Sequence, residues 1–158
     1  MFIGKTFDQV SVGEKIKDAL TITETHMILA CGLFKDFNAL HANAPLAESL
    51  PLQGRIVHGP LTAAVMVGVL GNYFSGTTIA FLEETIRFTA PVRPGDTLKT
   101  EWEVLEKKPS KKYPGGIISF SGTCQNQKGE AVAQGEGKML ISNEAPALLT
   151  PRSPIHPA

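Results

Sequence analysis

Cysteine is scarce in this chain. There are two among 158 residues, Cys31 and Cys124, far apart and without metal or redox spacing. That excludes a disulfide scaffold and a cysteine-built zinc site. Both lie among apolar neighbours and read as reduced core thiols of a cytoplasmic protein. Net charge is missing too, since Lys+Arg and Asp+Glu both number 15. A chain with no basic stripe is not built around nucleic acid. The longest apolar run, Leu61 to Leu70, is interrupted by Thr62 and falls far short of a membrane span. Met1-Phe-Ile-Gly-Lys-Thr lacks the charged start and apolar stretch of a secretion signal. No internal repeat, metal-ligand spacing or phosphate-cradling glycine loop is visible, so no cofactor and no metal are expected.

What is present suits one domain over residues 1–143, followed by a proline-rich tail over 144–158, expected to be extended or disordered. A chain of this size buries about 70% of its unfolded surface and needs no staple. Residues 1–22 read as a lead-in with one or two short extended pieces around Gly13. Thr23 caps a helix with Glu24 in its first turn and a surface histidine, His26, near its start; the helix is expected to stop near Gly32. A short helix follows around Pro45–Ser49, then a long one over Pro60–Phe74 with proline at its first position. That helix is apolar on every side, so it is expected to be buried all round, with Ala63, Ala64, Gly68 and Gly71 letting another backbone approach.

After Ser75-Gly76 the period changes to two. Strands are expected over Leu82–Ala90, Leu98–Val104, Ile117–Asn126 and Ala131–Ile141, with a tight turn at Lys128-Gly129. The basic run Glu106–Lys112 reads as a solvated loop, or else as a feature that steers a phosphate-bearing ligand such as coenzyme A. One unsolvatable helix followed by antiparallel strands has an economical solution, a sheet curled around the helix.

Two places carry chemistry. Asp36 and His41 stand five residues apart in a polar turn beside an apolar helix, where a carboxylate and an imidazole could share one water. Adding water to an enoyl thioester needs a base for the water, an acid for the α-carbon and support for an enolate-like oxygen. His41 is the better direct base because an imidazole titrates near neutrality. Asp36 could hold the same water or return its proton to carbon. Asn38, between them, could pin the loop or a catalytic side chain. The same residues also make an ordinary Asx turn. The second place is Arg55-Ile-Val-His-Gly-Pro-Leu-Thr, a helix start whose backbone N–H groups lack intrahelical partners. Pro60 has no N–H, so Gly59 is the main donor for a thioester oxygen. His58 precedes it, either as a substrate-binding residue or as a structural histidine.

Taken together, Lys35-Asp36-Phe37-Asn38-Ala39-Leu40-His41 with Ala47 six positions on, Gly54–Ala63, and Phe88-Thr-Ala-Pro-Val-Arg-Pro-Gly-Asp-Thr-Leu resemble the MaoC-like dehydratases, the R-specific enoyl-CoA hydratases. The family's signature is roughly Gly-Asp-x-Asn-Pro-Leu-His, then five residues and a small one. The resemblance runs from about residue 5 to 142. It implies an α+β hot-dog fold, an antiparallel sheet wrapped around one long central helix. It implies a homodimer or larger homo-oligomer with tunnels for an acyl-CoA or acyl carrier protein thioester near the subunit interface. It further implies Asp36 and His41 as catalytic pair and the Gly59 N–H as oxyanion donor. Three positions depart from the pattern. Lys35 replaces glycine, which should reshape the loop because lysine lacks glycine's freedom at positive φ. It also sets a cation beside Asp36 that could act on the carboxylate, meet a substrate carboxylate or simply face solvent. Ala39 replaces proline. Val67 stands where some members carry a small hydroxyl residue that orients the acid.

The expected activity is therefore reversible hydration of a trans-2-enoyl thioester to the (R)-3-hydroxyacyl thioester, a hydro-lyase reaction. Two alternatives stand beside it: a hot-dog thioesterase that attacks the carbonyl, and a non-catalytic acyl-thioester-binding subunit of a heteromeric dehydratase.

Overall fold

The computed structural model describes residues 3–145; most of the expected 144–158 tail lies outside them. Nine elements follow in order: β1 (Lys15–Thr21), α1 (Glu24–Phe34), α2 (Ala39–Ala42), α3 (Ala44–Ser49), α4 (Gly59–Tyr73), β2 (Thr78–Phe88), β3 (Thr97–Pro109), β4 (Gly115–Gln125) and β5 (Ala131–Ser142). The strands form one antiparallel sheet in the order β1-β3-β4-β5-β2. The strands before and after the helices thus take opposite edges, and the three-strand meander between them makes the floor on which α4 lies. This is the expected hot-dog arrangement.

Alternation fixes which face of the sheet meets α4. Leu98, Thr100, Trp102 and Val104 of β3, and Ile118, Phe120, Gly122 and Cys124 of β4, are buried, while the residues between them are not. Against them α4 lays Met66, Val69 and Leu70, followed by Phe74 just beyond its end. Trp102 is fully buried, and its indole N–H donates to the Met66 carbonyl at 2.8 Å. That bond satisfies the indole's polar atom and pins the helix to the sheet at its middle.

Several expectations change. The central helix begins at Gly59, one residue before Pro60, and it is not buried all round. Pro60, Ala64, Gly68, Gly71 and Asn72 form an exposed stripe, because a single sheet covers only one side of a helix. Among the described residues no other backbone approaches its two glycines: a Cβ at Gly68 or Gly71 would have nothing within 4 Å. Along this open side runs a groove of about 320 Å³ between β1 and α4, lined by Leu20, Ala64, Gly68, Val69 and Leu98 with Asp18 at its rim.

The basic run is also placed differently. Glu106 to Pro109 continue β3, pairing with Gly116–Ser119, so the loop is confined to 110–114. Lys107 sits over the Phe7 ring at 4.5 Å and donates to the Val10 carbonyl, clasping the N-terminal segment to the strand. In β2 the expected alternation is broken. Phe81 pairs with Met139 and Glu83 with Lys138, leaving Leu82 as the extra residue of a bulge. His26 does more than sit on the surface: its Nδ1 accepts from the Thr23 N–H at 3.0 Å, closing a capping box. Cys31 and Cys124 are free and buried, as expected.

Candidate active site

The loop that carries Asp36 is shaped by the end of α1. The helix runs to Phe34, past the expected stop at Gly32, and is capped by Lys35 at φ 55, ψ 31. Lysine here adopts the left-handed conformation normally left to glycine, despite the steric cost of its Cβ. The reversal brings the Asp36 N–H onto the Cys31 carbonyl at 3.1 Å. Asp36 Oδ1 then accepts from the Asn38 N–H at 3.1 Å, and Asn38 Oδ1 accepts from the Leu40 N–H at 3.1 Å. These nested Asx contacts cap α2, a single turn that sequence periodicity is too short to reveal. Asn38 is thus placed as the loop's pin.

His41 rides on α2 and turns back toward Asp36. Its Nε2 lies 3.6 Å from Asp36 Oδ2, with the His41 side chain 11% and the Asp36 side chain 46% exposed. That separation is too long for a direct hydrogen bond, but a water about 2.8 Å from each would complete a triangle. The tautomer of His41 follows from its other nitrogen. Nδ1 lies 2.8 Å from the Ile56 carbonyl, which can only accept, so Nδ1 carries the proton and neutral His41 presents its lone pair at Nε2. The Ile56 carbonyl is a backbone atom fifteen residues downstream, and no sequence signal marks it.

His58 lies beneath this pair. It is 1% exposed, its ring stacks on His41 at 3.7 Å and 26°, and Phe34 meets it edge-on at 5.8 Å. Its Nε2–H donates to the Asp36 carbonyl at 3.0 Å. Its Nδ1 is buried and has no hydrogen-bond partner among the described residues. The sequence reading offered His58 as a substrate contact or a structural residue; the structure places it against Asp36 and His41. Asp36, His41 and His58 could each offer a ligand atom, all within 4.8 Å. An imidazole lone pair lies in its ring plane, and two nearly parallel stacked rings aim theirs side by side rather than at one centre. The cluster has the geometry of an acid–base site more than of a metal centre.

The donor side is set by α4. His58 is its N-cap residue, and its carbonyl accepts from the Leu61 and Thr62 N–H groups, both at 3.1 Å. Pro60 has no N–H, so Gly59 at the first helical position is left with a donor that the helix cannot use. A Cβ on Gly59 would lie 3.0 Å from the Phe88 ring of β2, so only glycine leaves this approach open. A groove of about 400 Å³ reaches the spot, bounded by Ile56, Gly59, Thr62, Phe88 and Ala90. The segment carrying it is held from both sides, by Ile56 N–H to the Leu40 carbonyl at 3.0 Å and Val57 N–H to the Val92 carbonyl at 2.7 Å. One short stretch therefore fixes the His41 tautomer, the His58 ring and the Gly59 donor together.

Comparison with known proteins agrees with this architecture. The family model described as "MaoC like domain" matches residues 8–119. The chain is 32% identical over 135 residues to an (R)-specific enoyl-CoA hydratase of Rhodospirillum rubrum, covering 85% of this chain and 90% of that protein. It is 35% identical over 112 residues to a 3-hydroxybutyryl-CoA dehydratase of Methylorubrum extorquens, covering 71% of this chain and 68% of the other. Among solved structures it is similar to an R-hydratase of Pseudomonas aeruginosa in its unliganded form, with a TM-score of 0.80 at 30% identity over 97% of this chain and 96% of that one.

Proposed function

The chain belongs to the MaoC-like domain family, and from that premise we propose that it is a hydro-lyase interconverting a trans-2-enoyl thioester and an (R)-3-hydroxyacyl thioester. The observation that carries the proposal is the spent Nδ1 proton of His41, which leaves Nε2 as the acceptor facing Asp36. In the hydration direction a water held between Asp36 and His41 gives a proton to His41 Nε2 as its oxygen bonds to C3. The C2–C3 π electrons move toward the thioester carbonyl, and the Gly59 N–H stabilises the charge that gathers on its oxygen. The proton then returns to C2, with Asp36 positioned to relay it, so that one water is added and nothing is left over. The names of the relatives in Rhodospirillum and Pseudomonas support the hydratase reading and the R outcome. The acyl carrier is coenzyme A or acyl carrier protein, and the coenzyme A names of two relatives favour the former.

Loss of enoyl-thioester absorbance with crotonyl-CoA, absent in His41→Ala, is the expected result. Equal rates in wild type and variant would refute the mechanism. Release of free thiol from acyl-CoA would point to thioesterase chemistry instead. Among the described residues, no helix is long and apolar enough to cross a membrane. Two reduced buried cysteines support a cytoplasmic setting. Strand β2 leaves one edge unpaired and exposes Phe81, Leu82 and Phe88, which supports a homodimer formed along that edge.

A further inference from the structure

We propose that His58 is a positioning residue for the reaction, acting through the hydrogen bond from its Nε2–H to the backbone of Asp36, with Cys31 Sγ farther from the same nitrogen at 3.8 Å, and not through contact with substrate. This rests on the hydratase reading of the same site. At 1% exposure, His58 is closed off from anything entering the groove. What it touches is the machinery. Its Nε2–H reaches the Asp36 carbonyl at 3.0 Å, and its ring lies against His41 at 3.7 Å. Its backbone is the N-cap of the helix whose next residue, Gly59, supplies the donor. One side chain therefore ties the Asp36 backbone to the helix start, beside the Ile56–Leu40 and His41–Ile56 bonds that hold α2 to the same segment.

The need for histidine is chemical. A phenylalanine would fill the same space and stack on His41 equally well, and Phe34 would still meet it edge-on. It could not donate to Asp36. Histidine at this place carries a standing penalty, because its Nδ1 is buried without a partner, and an unpaired buried acceptor is unfavourable and rare. A residue chosen for packing alone would avoid that penalty. The hydrogen bond offsets it in the loop that matters most. Lys35 holds that loop in a left-handed turn, and Asp36 is half exposed, so few other contacts restrain it. The carbonyl facing Nε2 also sets the tautomer: of the two neutral forms, only the one with its proton on Nε2 can donate to it.

Two substitutions separate positioning from packing. His58→Phe keeps the buried ring and the stack and removes the donor. His58→Gln places an amide N–H where Nε2 stands and restores it. With a trans-2-enoyl-CoA substrate turned over by the wild type, His58→Phe is expected to lose on the order of 100-fold in kcat, as for a catalytic group displaced by about 1 Å. KM should stay within about threefold, since the thioester contacts are untouched. His58→Gln should recover at least about tenfold of that loss. A folded His58→Phe with kcat within about threefold of wild type would overturn the proposal. So would a raised KM at unchanged kcat, the mark of a substrate contact. Nitrogen-15 imidazole spectra of the free protein judge the positioning apart from turnover. His58 is expected as the Nε2–H tautomer, with the Asp36–Asn38 amide signals moved in His58→Phe and returned in His58→Gln. If wild type turned over no enoyl thioester, the hydratase reading would fail by itself. A His58 found as the Nδ1–H tautomer would refute the positioning role whatever the activity.

Discussion

Replacing Lys35 with glycine should stabilise the protein. Lys35 stands at φ 55, ψ 31, where its Cβ crowds the following carbonyl. That conformation costs a non-glycine residue about 1–2 kcal/mol. Glycine avoids the cost but gives up about 0.5–1 kcal/mol through the greater freedom of its unfolded chain. The lysine side chain is exposed, so little packing is lost. The balance is about 1 kcal/mol in favour of glycine, a rise in Tm of about 2–4 °C for a domain of this size. The check is thermal unfolding at fixed protein concentration, because an oligomer's Tm moves with concentration. Lys35→Ala serves as the control: it removes the charge and keeps the strain, so its Tm should stay within about 1 °C of wild type. Lys35→Val should fall below both, since a β-branched residue tolerates positive φ least. If glycine and alanine proved equal, or glycine lower, the reasoning that Lys35 is held against its own preference would be wrong. The stabilised variant should keep kcat within about twofold, because glycine reproduces the turn that already places Asp36.

Two further outcomes follow from the geometry. Gly59→Ala keeps the backbone N–H but sets a Cβ against the Phe88 ring at 3.0 Å, in the groove a thioester must enter; kcat/KM should drop about 10–100-fold while Tm changes by less than about 3 °C, and undiminished activity would remove Gly59 from the donor role. Glu101 accepts from Lys15 and Lys17 at 2.7 and 2.6 Å, which lower its carboxyl from the usual 4.5 to about 2. The folded state therefore binds fewer protons than the unfolded one between those values, so this contribution is present above about pH 4.5 and fades as pH falls toward 2. Because the two lysines are more than half exposed and Glu101 about a third, 1 M salt should move the NMR titration of Glu101 back toward the ordinary value, and a midpoint near 4 at low salt would contradict the pairing.

Much of this architecture was legible in the residues, and the exceptions have physical causes. The meander was readable because β3 and β4 alternate in burial over a half-buried sheet, and because the Lys128-Gly129 turn marks the return strand β5, which does not alternate. Strand β2 was less so, because its bulge at Leu82 breaks the period and its edge position leaves both faces partly open. Gly32 drew the expected end of α1 to itself, yet the chain turned at Lys35, where the Asx contacts of Asp36 and Asn38 reward the reversal. The apolar sequence of α4 showed that it lies in a core, but its all-apolar composition could not show which side a single sheet would leave open. Charge made 106–109 look like loop, whereas lysines can cover an outer strand face with their stems while their heads stay wet. At the site, Asp36, His41 and Gly59 could be picked out by residue type and spacing. The Ile56 carbonyl could not, because every residue has one, and the stack of His58 on His41 depends on a tertiary approach that local sequence does not encode.

The two imidazoles make opposite use of the same chemistry, and the site's polarity comes from that opposition. His41 gives its Nδ1 proton to Ile56 and keeps an open lone pair at Nε2; His58 gives its Nε2 proton to Asp36 and leaves its lone pair buried at Nδ1. Each choice is imposed by a backbone carbonyl, which accepts and never donates. Exchange either tautomer and the arrangement fails: His41 would point a proton at the water it should deprotonate, or His58 would set a lone pair against the Asp36 carbonyl. Both carbonyls belong to segments held by further backbone bonds, Ile56 through Leu40 and Asp36 through Cys31. The protonation pattern is thus written into the main chain, with the side chains responding to it. Lys35 and Ala39 stand where the resembled pattern has glycine and proline, and they lie within this frame of backbone bonds. Those substitutions change what the loop costs to form, while the carbonyls that set its chemistry stay where the fold puts them.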